Sequence, residues 1–275
     1  MNLRDWKAGE RVRILIFGPY KSGKTWGAGT FPRPNFIDLD NGISVLRNKA
    51  WVAKYGLREI EYEQFKERNT NNRGVVISHN VFDDACKYFD AWQNPKGAKW
   101  KSIDGSTTDC HPDKFDTWVI DSGTSLSEAA LNKAIVLLGS KQLQMSSKTH
   151  EQAINTGLVY PKMQDYGSER SMVEQFIDMI LDSDKHVVFV CHEKEKSDDA
   201  GNIVGVTPLL TGKGVEAVCL KFDEVYYLKV AKQGPNIMRT LQTQPDGLRK
   251  VGSRYGLPNG TEWEWDAIHK QLLGV

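Results

Sequence analysis

The sequence predicts an α/β fold: a mostly parallel central sheet flanked by helices, with antiparallel strands at the C-terminal end. Three observations predict it. Short apolar runs bounded by turn residues recur along the chain, as strands of a buried sheet do. Segments with helical spacing separate most of these runs, the pattern of parallel strands joined by crossover helices. After about residue 222 the pattern changes to strand–turn–strand, which fits antiparallel pairing.

Taken in order, strands are expected at residues 12–17, 35–39, 75–78, 117–121, 186–191, 224–230 and 238–243. A helix is expected to open at 23–29. A second spans 81–92, where apolar residues at 81, 82, 85, 88, 89 and 92 give helical spacing. Two more are expected at 125–138 and 168–181; the latter places Met172, Val173, Phe176, Ile177, Ile180 and Leu181 on one face. Residues 61–74, 93–114 and 139–167 read as irregular and polar. The expected organisation is one domain with a core over 10–258. It carries polar insertions at 61–74 and 93–114 and a short tail at 259–275.

Composition bounds the function. The 275 residues are 40% hydrophobic and 26% charged, an ordinary globular balance. A net charge of +1 excludes a bulk polyelectrolyte, so any nucleic-acid site must be a local patch. Charge is uneven: residues 1–60 carry 11 basic and 5 acidic groups, residues 115–193 carry 6 and 11. Within 229–254 stand Lys229, Lys232, Arg239, Arg249, Lys250 and Arg254 against Asp246 alone. No run is apolar enough to cross a membrane, and the first residues lack a signal-peptide core. Cys86, Cys110, Cys191 and Cys219 are scattered, with no CxxC pair, so reduced thiols in the cytoplasm are expected. Cys110 and His111 have no second ligand pair nearby.

Gly18-Pro19-Tyr20-Lys21-Ser22-Gly23-Lys24-Thr25 fits GxxxxGK[ST], the phosphate-binding loop. The loop wraps phosphate with backbone N–H groups, so glycines stand where side chains would block approach. The following helix adds its positive end. Lys24 neutralises β/γ charge and the Thr25 hydroxyl ligates Mg²⁺. These eight residues and the adjoining Trp26 are the expected ATP contacts. Asp121, at the end of the apolar run 117–121, is the expected second Mg²⁺ ligand.

Hydrolysis also needs a group that orients the attacking water. Ser122 follows Asp121, so no glutamate stands there. Asp38 and Asp40 lie at the end of the second strand, two apart and on one face. Asp40 is nearer the carboxyl end, where ligands bind in such sheets, and is the expected base. His192 ends the strand at 186–191 and is the candidate γ-phosphate sensor. The charged run after it reads either as a solvated hairpin or as a binding loop presenting Lys194 and Lys196 to a phosphodiester.

GPYKSGKT, FIDLDNG, WVIDS, VVFVCHEK, PLLTGKG and FDEVYYL, in that order, resemble the RecA-like P-loop ATPases. Among these they look most like the phage-encoded nucleotide-binding proteins of the single-strand annealing type. The resemblance spans roughly residues 10–258. It implies that Asp40 activates water, with a shorter reach than the glutamate of the RecA type and hence slow turnover. It implies that His192, where that type has glutamine, couples the γ-phosphate to a DNA loop. It also implies a basic finger reaching into a neighbouring subunit, matched by Arg254 with Lys250.

The function expected on this basis is an ATP-hydrolysing recombination protein. It would bind single-stranded DNA and promote annealing or strand pairing as a homo-oligomeric ring or filament. A single-strand-binding or other recombination protein is a further expected partner. A DNA motor, of helicase or packaging type, shares every nucleotide-site residue. A small-molecule kinase would need an arginine-bearing lid that the sequence does not show, and a non-hydrolysing regulatory module would use ATP only to set its shape.

Overall fold

The computed structural model describes residues 11–66, 80–102, 104–143, 162–211, 214–234 and 236–273. The expected strand at 75–78 lies outside them. The phosphate-loop strand β1 (Arg13–Gly18) has Ile14, Leu15, Ile16 and Phe17 fully buried. Such a continuous apolar run suits a strand covered on both faces. It is parallel to β7 (His186–Ser197) on one side and to β9 (Glu224–Gln233) on the other. Beyond β7 come β6 (Thr117–Asp121), β2 (Pro34–Asp38) and β3 (Glu61–Gln64), all parallel. The seven-strand path ends at β10 (Asn236–Gln242), antiparallel to β9. Two shorter strands attach antiparallel: β8 (Ile203–Pro208) to β7 and β11 (Gly252–Ser253) to β9. A single strand, β7, separates the phosphate-loop strand from the Asp121 strand, and the sheet is mostly parallel with antiparallel strands at the C-terminal end, as expected.

The alternation of β1 divides the interior into two cores. Leu15 and Phe17 face helices α3 (Val81–Gln93), α4 (Gly123–Leu143) and α5 (Met163–Leu181), through Phe82, Phe89, Leu126 and Phe176. Ile14 and Ile16 face the other way, onto Phe31, Trp51, Trp263, Trp265 and Ile268. That second core is built by α1 (Lys24–Ala28), α2 (Lys49–Tyr55) and α7 (Trp265–Leu273). A short helix, α6 (Val215–Leu220), precedes β9.

Several polar stretches are more ordered than their composition predicts. Residues 61–64, expected to be irregular, add β3 to the sheet edge. Within 93–114 a hairpin forms from β4 (Ala98–Lys101) and β5 (Thr107–Cys110). It docks through Trp100 Nε1, which donates to Glu63 at 2.8 Å, and through a Ser102 bond to the same carboxylate. Buried partners on β3 and α3, not the residues' own hydrophobicity, order this hairpin. Helix α5 starts at Met163 rather than 168, because the Asp165 carboxylate accepts the Lys162 backbone N–H at 2.6 Å. The segment expected as a tail holds Trp263, Trp265 and α7, all part of the second core. Of residues 139–167, 144–161 lie outside the described residues. All four cysteines are free thiols.

His186 opens β7. Its Nδ1 accepts the Val12 N–H at 3.1 Å and its ring meets Trp265 edge-on, with centroids 4.8 Å apart. Burial pulls its pKa down to about 4, with His269 adding to the effect and Asp116 opposing it. The unfolded chain therefore binds a proton below about pH 6.5 that the folded chain refuses. Stability present above that pH is lost as pH falls through 4, by roughly 3 kcal/mol if the whole shift is expressed. Urea midpoints at pH 7 and pH 4.5 check this. Wild type should lose stability, and His186→Gln, which keeps an acceptor without the titration, should lose less. Equal losses would remove His186 from the account.

Candidate nucleotide site

The loop Gly18–Thr25 joins the carboxyl end of β1 to α1. Gly23 has φ +96°, a left-handed conformation that glycine adopts without steric cost. Ser22 and Lys24 are each only 5% exposed. Lys24 Nζ donates to Gly18 O at 3.0 Å and Pro19 O at 2.7 Å. Its ammonium thus ties the loop to itself through two backbone carbonyls. Burial lowers its pKa, while Asp121 and Asp40 push back.

Thr25 Oγ1 donates to Asp121 Oδ2 at 2.6 Å. Asp121 is 3% exposed, and its pKa is pushed up to about 7. Burial is the main cause; the Thr25 bond and Lys24 oppose it, and Asp40 and Asp38 add to it. A buried carboxylate beside a hydroxyl is a hard-oxygen pair that suits Mg²⁺, which takes one or two protein oxygens plus phosphates. Thr25 and Asp121 would hold the ion, which would supply charge neutralisation at the β- and γ-oxygens. Among the described residues no cluster of three or more His, Cys, Asp or Glu side chains could hold a metal ion.

Asp38 and Asp40 separate clearly. Asp38 is 1% exposed and accepts from Gly42 N at 2.9 Å, Ile43 N at 3.3 Å and Gln64 Nε2 at 3.0 Å. It shapes the turn after β2. Asp40 lines the same cavity as the phosphate loop, about 500 Å³, together with Asp121 and His192. Its Oδ2 lies 2.9 Å from His192 Nε2, and Ser125 Oγ donates to Oδ1. Burial would raise the Asp40 pKa, but hydrogen bonds from His192, Ser125 and Ser122 outweigh it and hold the carboxyl below its ordinary value. Asp40 is therefore an ionised acceptor at neutral pH. The His192 backbone N–H donates to Thr124 Oγ1 at 3.0 Å, so the start of α4 ties both partners together.

A matching family model decides the family: its description is AAA domain (AAA_24), and it covers residues 10–255. The chain belongs to this AAA domain family. Among solved structures, this AAA domain is similar to a KaiC-like protein, PH0186, from Pyrococcus horikoshii OT3. The two share 12% identity at a TM-score of 0.37, over 86% of this chain and 79% of that one. It is also similar to the flagellar accessory protein FlaH from Methanocaldococcus jannaschii, at 8% identity and a TM-score of 0.34, over 86% and 78%. No curated protein matches the sequence. The AAA domain is thus a nucleotide-binding ATPase of the P-loop class.

The remaining site candidates of this AAA domain fall elsewhere. Arg254 pairs with Asp223, and Lys250 Nζ lies 2.8 Å from Glu216. Gly252–Ser253 lie against Val225–Glu224, the end of β9 opposite the phosphate loop. Neither Arg254 nor Lys250 serves this chain's own nucleotide site. Arg249 stacks on Tyr227, 4.2 Å from the ring centroid, and bonds Asp246 at 2.7 Å. The basic stretch 229–254 is therefore not one continuous cationic face. Lys194 and Lys196 are exposed on the extension of β7. Tyr20, at the loop's apex, is 76% exposed.

Sequence reasoning missed the supports of the loop. Helix α1 has only five residues, too few to satisfy its own carbonyls. Tryptophan indoles do so instead: Trp263 Nε1 donates to Lys24 O at 2.9 Å and Trp51 Nε1 to Trp26 O at 3.1 Å. A β-carbon on Gly27 would lie 2.2 Å from Trp263 Cδ1. In a free helix Gly27→Ala would stabilise by about 1 kcal/mol. Here it is expected to destabilise by roughly 1–3 kcal/mol through overpacking, seen as a lower urea midpoint. A midpoint at or above wild type would contradict the packing. The only sequence sign was the pair of glycines, Gly27 and Gly29, inside an expected helix.

Proposed function

We propose that this AAA domain hydrolyses ATP in DNA recombination, binding single-stranded DNA and promoting annealing or strand pairing as an oligomer, in the manner of the phage-encoded proteins it resembles. One observation carries the DNA part of this reading. Two hairpins rise on either side of the phosphate loop. Gly18 is level with His192 on β7, and a β-carbon on it would lie 3.1 Å from Leu228 O on β9. From there β7 continues to Ser197 and β9 to Gln233, a rise of roughly 17 Å at about 3.3 Å per residue. The risers carry Lys194, Lys196, Lys229 and Lys232, all exposed and without an ion pair among the described residues. Lys194 and Lys196 share one face of their strand. Unpaired lysines beside a nucleotide site suit phosphodiester contacts that depend on the nucleotide state.

The chemistry follows from the site. On ATP binding, Lys24 leaves the loop carbonyls for the β- and γ-phosphates. Asp40 accepts the proton of the attacking water, having exchanged its bond to His192. His192 begins the β7–β8 hairpin, so that exchange reaches Lys194 and Lys196 through one strand. Arg254, with Lys250, would complete the site of a neighbouring subunit.

The test is a titration of labelled oligonucleotide at several salt concentrations, with and without ATP and Mg²⁺. ATP-dependent single-strand affinity is expected, falling with salt. Reversing Lys194 and Lys196 to glutamate should weaken it and flatten the salt slope by about one unit per lysine removed. No ATP-sensitive affinity at low salt overturns the DNA reading. Strand displacement or translocation along DNA would favour a motor instead.

A further inference from the structure

Arg239 belongs by sequence to the basic stretch 229–254, but the structure turns it toward its own phosphate loop. It lies on β10, paired in register with Val230. Its Nε donates to Ser22 O at 3.1 Å, and its guanidinium carbon lies 4.8 Å from the centre of the Trp26 ring. The two pack closely: a β-carbon at Gly23 would lie 2.1 Å from Arg239 Nε and 2.7 Å from Cδ, so a side chain there would displace the guanidinium. No carboxylate pairs with Arg239 among the described residues, and burial lowers its pKa, opposed by Tyr55. Among the described residues only its Nε has a hydrogen-bond partner, and its other nitrogens are not sealed from solvent, so the guanidinium edge is open to an anion.

Its place in the sheet says which anion. Asp121, Asp40 and His192 approach the loop from β6, from the end of β2 and from β7, all on one side of β1. Arg239 approaches from β10, on the other side. A triphosphate with its γ end at Asp40 and His192 therefore has its α end at Arg239. There the phosphate cavity meets a second, larger one of about 680 Å³, lined by Trp26, Tyr55, Met238 and Trp263 among others. Trp26 and Arg239 line both. That volume lies in the range of small-molecule pockets.

We propose that Arg239 is a second cation of the nucleotide site, supplied by the same chain, which holds the α-phosphate where the phosphate cavity opens into the nucleoside cavity. This rests on the nucleotide-binding reading. Arginine suits the position because its planar group keeps its face on Trp26 while its edge donates to phosphate.

Equilibrium binding of ATP with Mg²⁺ to the full chain tests it, in wild type and in Arg239→Ala, Arg239→Gln and Arg239→Lys. Circular dichroism and melting temperature confirm that each variant is folded. Ala and Gln are expected to weaken ATP binding by roughly 10- to 100-fold, in line with loss of a charge-assisted phosphate bond. Lys, which keeps the charge but not the stacked plane, should recover part of the loss, and the salt dependence of affinity should shrink in Ala and Gln but not in Lys. Wild-type affinity in Arg239→Ala overturns the proposal. So does equal recovery by Gln and Lys, since a packing role needs no charge. If wild type itself binds no ATP, the nucleotide reading fails, which is a different result. Should Ala not fold, the comparison of Gln with Lys still decides.

Discussion

Lys24→Ala is expected to cut ATP turnover by roughly 10²–10³-fold, the cost of losing one preorganised donor to developing charge, and to weaken ATP binding as well. Lys24 also bridges Gly18 O and Pro19 O, so alanine leaves those carbonyls without their ammonium partner. Hydrogen exchange of residues 18–25 should rise in the unliganded variant, while the global unfolding midpoint moves little. Lys24→Arg keeps the charge, but its fork does not fit a site only 5% exposed, and it should recover binding poorly. Turnover within tenfold of wild type in Lys24→Ala would mean that the loop is not the catalytic phosphate site.

Asp40→Asn separates binding from chemistry. The amide keeps the size of the carboxylate and can still accept from Ser125 and meet His192, whose present contact to Asp40 is 2.9 Å. ATP affinity should stay within about threefold. Turnover should fall by roughly 10²–10⁴-fold, the usual contribution of a positioned general base. Asp38→Asn is the control. Asp38 holds the turn through Gly42 and Ile43, so its replacement should lower stability more than it alters the pH–rate profile. If Asp40→Asn hydrolyses ATP at the normal rate, the base is another group and the Asp40–His192 contact is only a latch.

These two tests fall on residues that the sequence already singled out, for a physical reason. A phosphate loop is a local object: Gly18 to Thr25 must supply glycine at the positive-φ position, lysine and hydroxyl at fixed spacing. Asp121, Asp40 and His192 were legible because buried parallel strands read as unbroken apolar runs with a polar stop, although β7 runs on past His192 to Ser197. What sequence could not show depends on partners far along the chain. Asp38 and Asp40 look alike until the turn amides after β2 claim Asp38. Arg239 looks like its basic neighbours until β10 pairs with β9 and aims it at Ser22. Residues 98–110 look like loop because their order comes from Trp100 reaching Glu63, not from any local period.

The indole clamps on α1 have a temporal consequence. Trp263 bonds the carbonyl of Lys24 across 239 residues of sequence, and the Trp265 N–H bonds Thr30 Oγ1 across 235. On a ribosome the phosphate loop emerges long before either partner. The loop can therefore reach its supported form only after translation has passed residue 265. A nascent chain halted short of that point should not yet be retained by immobilised ATP, although its GxxxxGK[ST] segment is already complete. Nucleotide capture would then report that the Trp263 and Trp265 contacts have formed.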